Sequence, residues 1–111
     1  IGGHVNATDA GNRVTPAALA AAIRREVAEE VALEAMPDIR YIGVINSNLG
    51  PVEQVHLGIV AVANLPAPIV TLRDPTLADG RFDPLPALTE RLAEFETWSK
   101  LCIEALGDLT P

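Results

Sequence analysis

The stretch from Thr15 to Leu33 constrains the chain more than any other. It is rich in alanine, which loses no side-chain entropy on becoming helical. Thr15 can cap the first turn, and Pro16 stands at the first helical position, where its missing N–H is harmless. Met36-Pro37-Asp38 stops the run. The pattern predicts a helix over Ala17 to about Leu33, with Leu19, Ile23, Val27 and Val31 as an apolar stripe facing a core. Another face carries Glu26, Glu29 and Glu30, spaced i, i+3 and i+4. Like charges so placed repel by roughly 0.2–0.5 kcal/mol per pair. A solvated face is the plain explanation. A bound divalent cation is the sharper one, because Mg²⁺, Mn²⁺ and Ca²⁺ take oxygen ligands. Such a helix docks on a sheet with one face and offers carboxylates to a metal with the other.

The other elements follow in order. Gly2-Gly3 marks a turn where backbone can approach a ligand. Ala7 to Val14, including Gly11-Asn12-Arg13, reads as loop. Strands are expected over Ile39–Asn46, Val52–Ala63 and Ile69–Leu72, with a brief one at Arg81-Phe82. The middle run is so continuously apolar after His56 that it predicts a strand buried on both sides. Pro84 and Pro86 introduce a second long helix to about Leu106, with Gly107 as its stop. Leu88, Leu92, Phe95, Leu101/Cys102 and Leu106 keep helical spacing along it, and Trp98 is expected on its buried side. Helix, three strands, helix fits a single α/β domain over residues 1–111, a mixed sheet with a helix on each face.

Composition narrows the functions. Hydrophobic residues are 49% and charged residues 21%, the balance of a globular chain. Aromatics are only 4%, so Ala, Val, Leu and Ile must build the core. A net charge of −7 disfavours nucleic-acid polymers and anionic membranes as partners. No apolar run approaches the roughly 20 residues that span a bilayer. The single cysteine, Cys102, cannot form an internal disulfide, which makes a reducing cytoplasm the default setting.

Arg25-Glu26-Val27-x-Glu29-Glu30-Val31-x-Leu33 resembles the second half of the Nudix box, G-x5-E-x7-R-E-U-x-E-E-x-G-U, with U a bulky apolar residue. Gly2-Gly3 looks like the glycine pair that opens the box. Val55-His56-Leu57-Gly58 and Glu96-Thr97-Trp98-Ser99 look similar to a divergent Nudix branch described as predicted phosphoesterases. The resemblance implies an α/β/α sandwich that hydrolyses a nucleoside diphosphate linked to another group, using Mg²⁺ or Mn²⁺. It implies Glu26, Glu29 and Glu30 as metal ligands, a backbone carbonyl near Gly3 completing the site, and Arg25 steadying the glutamates. Glu29, Glu30 and Arg25 are then the expected catalytic set. A distal carboxylate is expected from Asp74 or Asp79, with Glu53 as the further candidate. Because many relatives dimerise, a homodimer is also implied.

The departures are specific. Counting back from Arg25 puts the first box glutamate on Ala17 and the last box glycine on Ala32. By context Gly3 takes the box-glycine place, with Ala7 to Val14 as an insertion; by strict spacing Gly11 does. The chain opens on Ile1-Gly2-Gly3-His4 without an initiator Met, so the fold's first strands are expected to precede it. The expected activity is metal-dependent cleavage of a phosphoanhydride or phosphoester bond in a small phosphorylated substrate. The alternative is a Nudix-fold binding or regulatory module that has lost activity.

Overall fold

The computed structural model describes residues 1–11 and 13–109 as a mixed α/β chain. The Gly11–Arg13 loop expectation therefore falls partly, at Asn12, outside the described residues. The chain divides into two compact units: one of residues 1–38 and 64–82, the other of residues 39–63 with those from Asp83 onward.

In the first unit, helix α1 (Ala7–Ala10) lies inside the segment expected to be loop. Asn6 explains it. Its Oδ1 accepts the N–H groups of Thr8 (3.2 Å) and Asp9 (3.3 Å), while Asp9 Oδ2 accepts the Asn6 N–H at 3.0 Å. This reciprocal capping satisfies donors that a first turn would otherwise leave open. Gly11, with φ +58°, ends the turn in the left-handed region that glycine tolerates.

Helix α2 (Pro16–Glu30) starts where Thr15 and Pro16 specify. Thr15 is extended, and its Oγ1 accepts the Ala18 N–H at 3.1 Å. The helix ends sooner than the apolar stripe suggests. Val31 turns to φ −135°, ψ 147°, and Val31–Ala32 form strand β1. Extended backbone suits β-branched valine. The carbonyls of the last turn find partners outside the helix: Arg73 N–H donates to Glu30 O at 2.8 Å and Arg73 Nη1 to Ala28 O at 2.9 Å. Strand β4 (Thr71–Leu72) pairs antiparallel with β1, Val31 facing Leu72 and Ala32 facing Thr71. Ile69 and Val70 stay outside this short ladder, and Arg81-Phe82 is not a strand. The buried positions are Ala18, Ala22 and Val31. Leu19, Ile23 and Val27 are half-buried, so the deepest line of α2 is drawn by its small residues.

In the second unit, β2 (Ile39–Ile45) and β3 (Gly58–Ala63) form an antiparallel hairpin, from Ile39 opposite Ala63 to Ile45 opposite Gly58. Ile42 is the extra residue of a bulge, between the pairs Tyr41–Ala61 and Gly43–Val60. The strand expected from Val52 begins only at Gly58. Ahead of it a 3₁₀ turn, Glu53–Val55, is closed by Val55 N–H to Val52 O at 3.3 Å and His56 N–H to Glu53 O at 3.4 Å. Nor is β3 buried on both sides, since Gly58 is buried while Ile59 and Ala63 are exposed.

The second long helix is interrupted. Helix α3 (Leu85–Glu90) gives way to a 3₁₀ turn at Leu92–Glu94, and α4 (Thr97–Leu109) begins afresh, running through Gly107. Glu96 makes the break. Its carboxylate accepts the N–H groups of Trp98 (2.9 Å) and Ser99 (2.7 Å) and the Ser99 hydroxyl (2.5 Å). A side chain so engaged caps a new helix instead of continuing the old one. Ile103 of α4 is buried, and Trp98 lies against Gly58 of β3. The described strands thus make two separate two-stranded antiparallel sheets instead of one mixed sheet. No described helix is long and apolar enough to cross a membrane.

Candidate metal centre

Glu26, Glu29 and Glu30 all stand in the last turns of α2. That is the wrong end for acids, because a helix C-terminus carries partial negative charge. Mutual repulsion and the helix dipole therefore act in the same direction. Arg25 answers part of this. Its Nη1 donates to Glu26 Oε1 at 2.8 Å and reaches Glu29 Oε2 at 3.3 Å.

The other edge of the same guanidinium holds the N-terminal segment. Nε and Nη2 each donate to one oxygen of Asp9 at 2.9 Å, and Nη2 also donates to the His4 carbonyl at 2.8 Å. The two-pronged fit matches a planar guanidinium to a planar carboxylate. Asp9's side chain is 6% exposed. Hydrogen bonding to Arg25, then to the Asn6 backbone, holds the Asp9 carboxyl below its usual range. Arg25 is in turn raised above its usual value by Asp9 first and Glu26 second. It stays cationic throughout.

Gly3 closes on the same place. A Cβ there would overlap the Glu26 carboxylate, so glycine lets the backbone lie this near without the Glu26 side chain swinging away. The His4 N–H donates to Glu26 Oε1 at 3.3 Å. The structure thus gathers Gly3, His4, Asp9, Arg25, Glu26 and Glu29 into one network.

Asp9 is the member that counting back from Arg25 misses. That count lands on Ala17, an exposed helix position. Counting forward from Gly3 through the same G-x5-E pattern lands on Asp9, a carboxylate one methylene shorter.

Glu30 differs from its neighbours. Its Oε2 is buried and has no hydrogen-bond partner among the described residues. Such an oxygen is costly unless something meets it. Asp74, one expected distal carboxylate, is tied to the same residue through the backbone, its N–H lying 3.4 Å from Glu30 O. Its own carboxylate is held low by the Thr76 hydroxyl and N–H, at 2.7 and 2.8 Å. Asp79, at φ +55°, pairs instead with Arg81 at 2.9 Å. Glu53 belongs to the second unit, packed on Gly50 in the 3₁₀ turn. There also, His56 Nδ1 bonds the Val52 carbonyl at 2.7 Å, a structural contact.

The donor set fits a hard cation in chemistry, since it is all oxygen, and in the open coordination of Glu30 Oε2. Yet among the described residues no three His, Cys, Asp or Glu side chains converge as a finished metal cluster. Arg25 holds two of the three expected ligands. No protein family, curated protein or solved structure matches the chain.

Proposed function

We propose that this chain is a Nudix-type, Mg²⁺- or Mn²⁺-dependent phosphohydrolase of a small phosphorylated substrate, a nucleoside diphosphate derivative. One observation carries the proposal: Gly3, the glycine the resemblance assigns to the start of the box, lies directly on the Glu26 carboxylate, 23 residues away in sequence. Nothing local brings those two positions together. The sandwich of the Nudix fold is part of the same proposal, as is a cytoplasmic setting.

Glu26, Glu29, Glu30 and the Gly3 carbonyl would hold the cation, which supplies charge neutralisation for phosphate and an acidified water. The residues of the chain do the rest. Arg25 orients Glu26 and Glu29 and anchors the Gly3-His4 backbone through the His4 carbonyl. Asp9 fixes Arg25 from behind. Glu30 Oε2, buried and unmatched, is the oxygen best placed to gain from a cation and the first choice for a proton acceptor. Asp74 is the favoured distal carboxylate, because its backbone joins the end of α2.

A binding module that has lost turnover is the second reading, favoured by the Arg25 contacts that occupy Glu26 and Glu29. Calorimetry with Mn²⁺ and a phosphate-release panel with both metals separate the two. The hydrolase reading expects Mn²⁺ binding, at least tenfold weaker in Glu29→Gln/Glu30→Gln, together with release of phosphate. Binding without turnover favours the module. No Mn²⁺ binding, or binding indifferent to the double substitution, overturns both.

A further inference from the structure

The carboxylates in the last turns of α2 call for a cation, and one is already among them. Arg25 Nη1 lies 2.8 Å from Glu26 Oε1 and 3.4 and 3.3 Å from Glu29 Oε1 and Oε2. A divalent ion shared by Glu26 and Glu29 has to stand where those oxygens converge, since Mg²⁺ draws its oxygen ligands in to about 2.0–2.1 Å. Nη1 stands there already, bonded to both side chains. A metal ion cannot enter while it stays, because like charges in contact repel.

The occupant is held from behind. Nε and Nη2 each donate to one oxygen of Asp9 at 2.9 Å, and Nη2 donates to the His4 carbonyl at 2.8 Å. The guanidinium is a rigid plane, so a grip on one edge fixes the other. Raising the pH does not release it either, because arginine keeps its proton. Every residue of this arrangement belongs to the first compact unit.

We propose that Arg25 is an autoinhibitory counter-ion: its Nη1 fills the place between Glu26 and Glu29, Asp9 keeps it there, and a divalent cation loads by displacing it. This rests on the metal reading of the glutamates and adds how their site is kept shut. The contacts that orient Glu26 and Glu29 before loading are the same contacts that loading has to break. The sign separates the two roles. Where an arginine only steadies ligands, removing it weakens cation binding. Where it is the resident counter-ion, removing it strengthens binding.

Calorimetry of the full chain with Mn²⁺ is the test. Asp9→Asn/Arg25→Gln removes both charges of the pair, which leaves the net charge at −7 and no lone charge behind. It should bind Mn²⁺ at least tenfold more tightly than the wild type. Arg24→Gln, at the exposed neighbouring position, adds one negative charge without touching the grip and should change the affinity less than threefold. Should the double variant unfold, the wild-type chain answers by nuclear magnetic resonance. Saturating Mg²⁺ should then shift the Arg25 Nη signals and speed rotation of the guanidinium, with those of Arg91, in the second unit, unmoved. Three results overturn the counter-ion and leave the metal reading standing: equal or weaker binding by the double variant, equal tightening by Arg24→Gln, or Arg25 signals that stay in place as Mg²⁺ fills the wild type. If neither wild type nor variant binds Mn²⁺, the metal reading falls and the counter-ion with it.

Discussion

Arg25 is one side chain with two jobs, and its geometry separates them. One edge of the guanidinium grips Asp9 and the His4 carbonyl, the other Glu26 and Glu29. Lysine keeps the charge but has no planar fork. Arg25→Lys is therefore expected to lower the melting temperature and speed exchange of the Asp9 amide, which the exposed neighbour Arg24→Lys should not do. Equal melting of the two variants would remove Arg25 from the centre of the site. The glutamates and Arg25 were legible in sequence because helical periodicity is local. Asp9 was not, since its role depends on chain folding back across 16 residues. A second residue-scale prediction concerns Glu96. Burial acts to raise its pKa, but the Ser99 hydroxyl and the amides of Trp98 and Ser99 outweigh burial and leave it lowered. A carboxylate lowered in the folded state stabilises above its unfolded pKa, and that contribution is lost as pH falls through the folded value. Glu96→Gln should thus cost about 1 kcal/mol near neutrality, the usual value of a helix cap. The gap from wild type should shrink below pH ~4, an unfolded carboxylate's range, as followed by thermal melts across pH.

At the scale of elements, start signals proved more reliable than continuity. Thr15-Pro16 placed the start of α2 correctly, because capping is a bond between near neighbours. Apolar periodicity ran past the end of α2, since the bonds that terminate it come from Arg73, far along the chain. The second helix divides for a local reason: Leu88, Leu92 and Phe95 keep their spacing through the break, and the Glu96 carboxylate, bonded to the Trp98 and Ser99 amides just after it, starts α4 afresh. The 52–63 run read as one strand because apolar content does not distinguish a strand from the 3₁₀ turn before it. Within that hairpin Gly58 is the critical joint. A Cβ there would stand 2.8 Å from Trp98 Cζ3, closer than carbon atoms pack. Gly58→Ala should destabilise the second unit by about 1–3 kcal/mol, as overpacking does. Gly43→Ala on the facing strand, where a Cβ meets nothing within 4 Å, should cost less. Trp98 fluorescence during urea unfolding reports both, and equal midpoints would show that α4 does not rest on Gly58.

The whole molecule places all the expected metal ligands in one of its two compact units. Glu26, Glu29, Glu30, Gly3 and Asp74 belong to the first, whereas the hairpin and α4 belong to the second. Ligand binding stabilises what it binds by RT ln(1 + [L]/Kd), about 2.7 kcal/mol at a hundredfold excess over Kd. Where units open separately, only amides of the unit holding the ligand inherit that protection. Saturating Mn²⁺ should therefore slow hydrogen exchange along α2 and at Arg73, by up to about a hundredfold for a 2.7 kcal/mol gain. It should leave Ile59–Val62 and the amides of α4 unchanged. Glu30→Gln should abolish much of the effect, because it removes a carboxylate whose Oε2 has no partner among the described residues. Equal protection of both units would mean that they open as one cooperative body, and the metal's location would then have to be read from Glu30→Gln alone. Protection confined to the hairpin would place the cation away from α2 and end the Nudix reading of its glutamates.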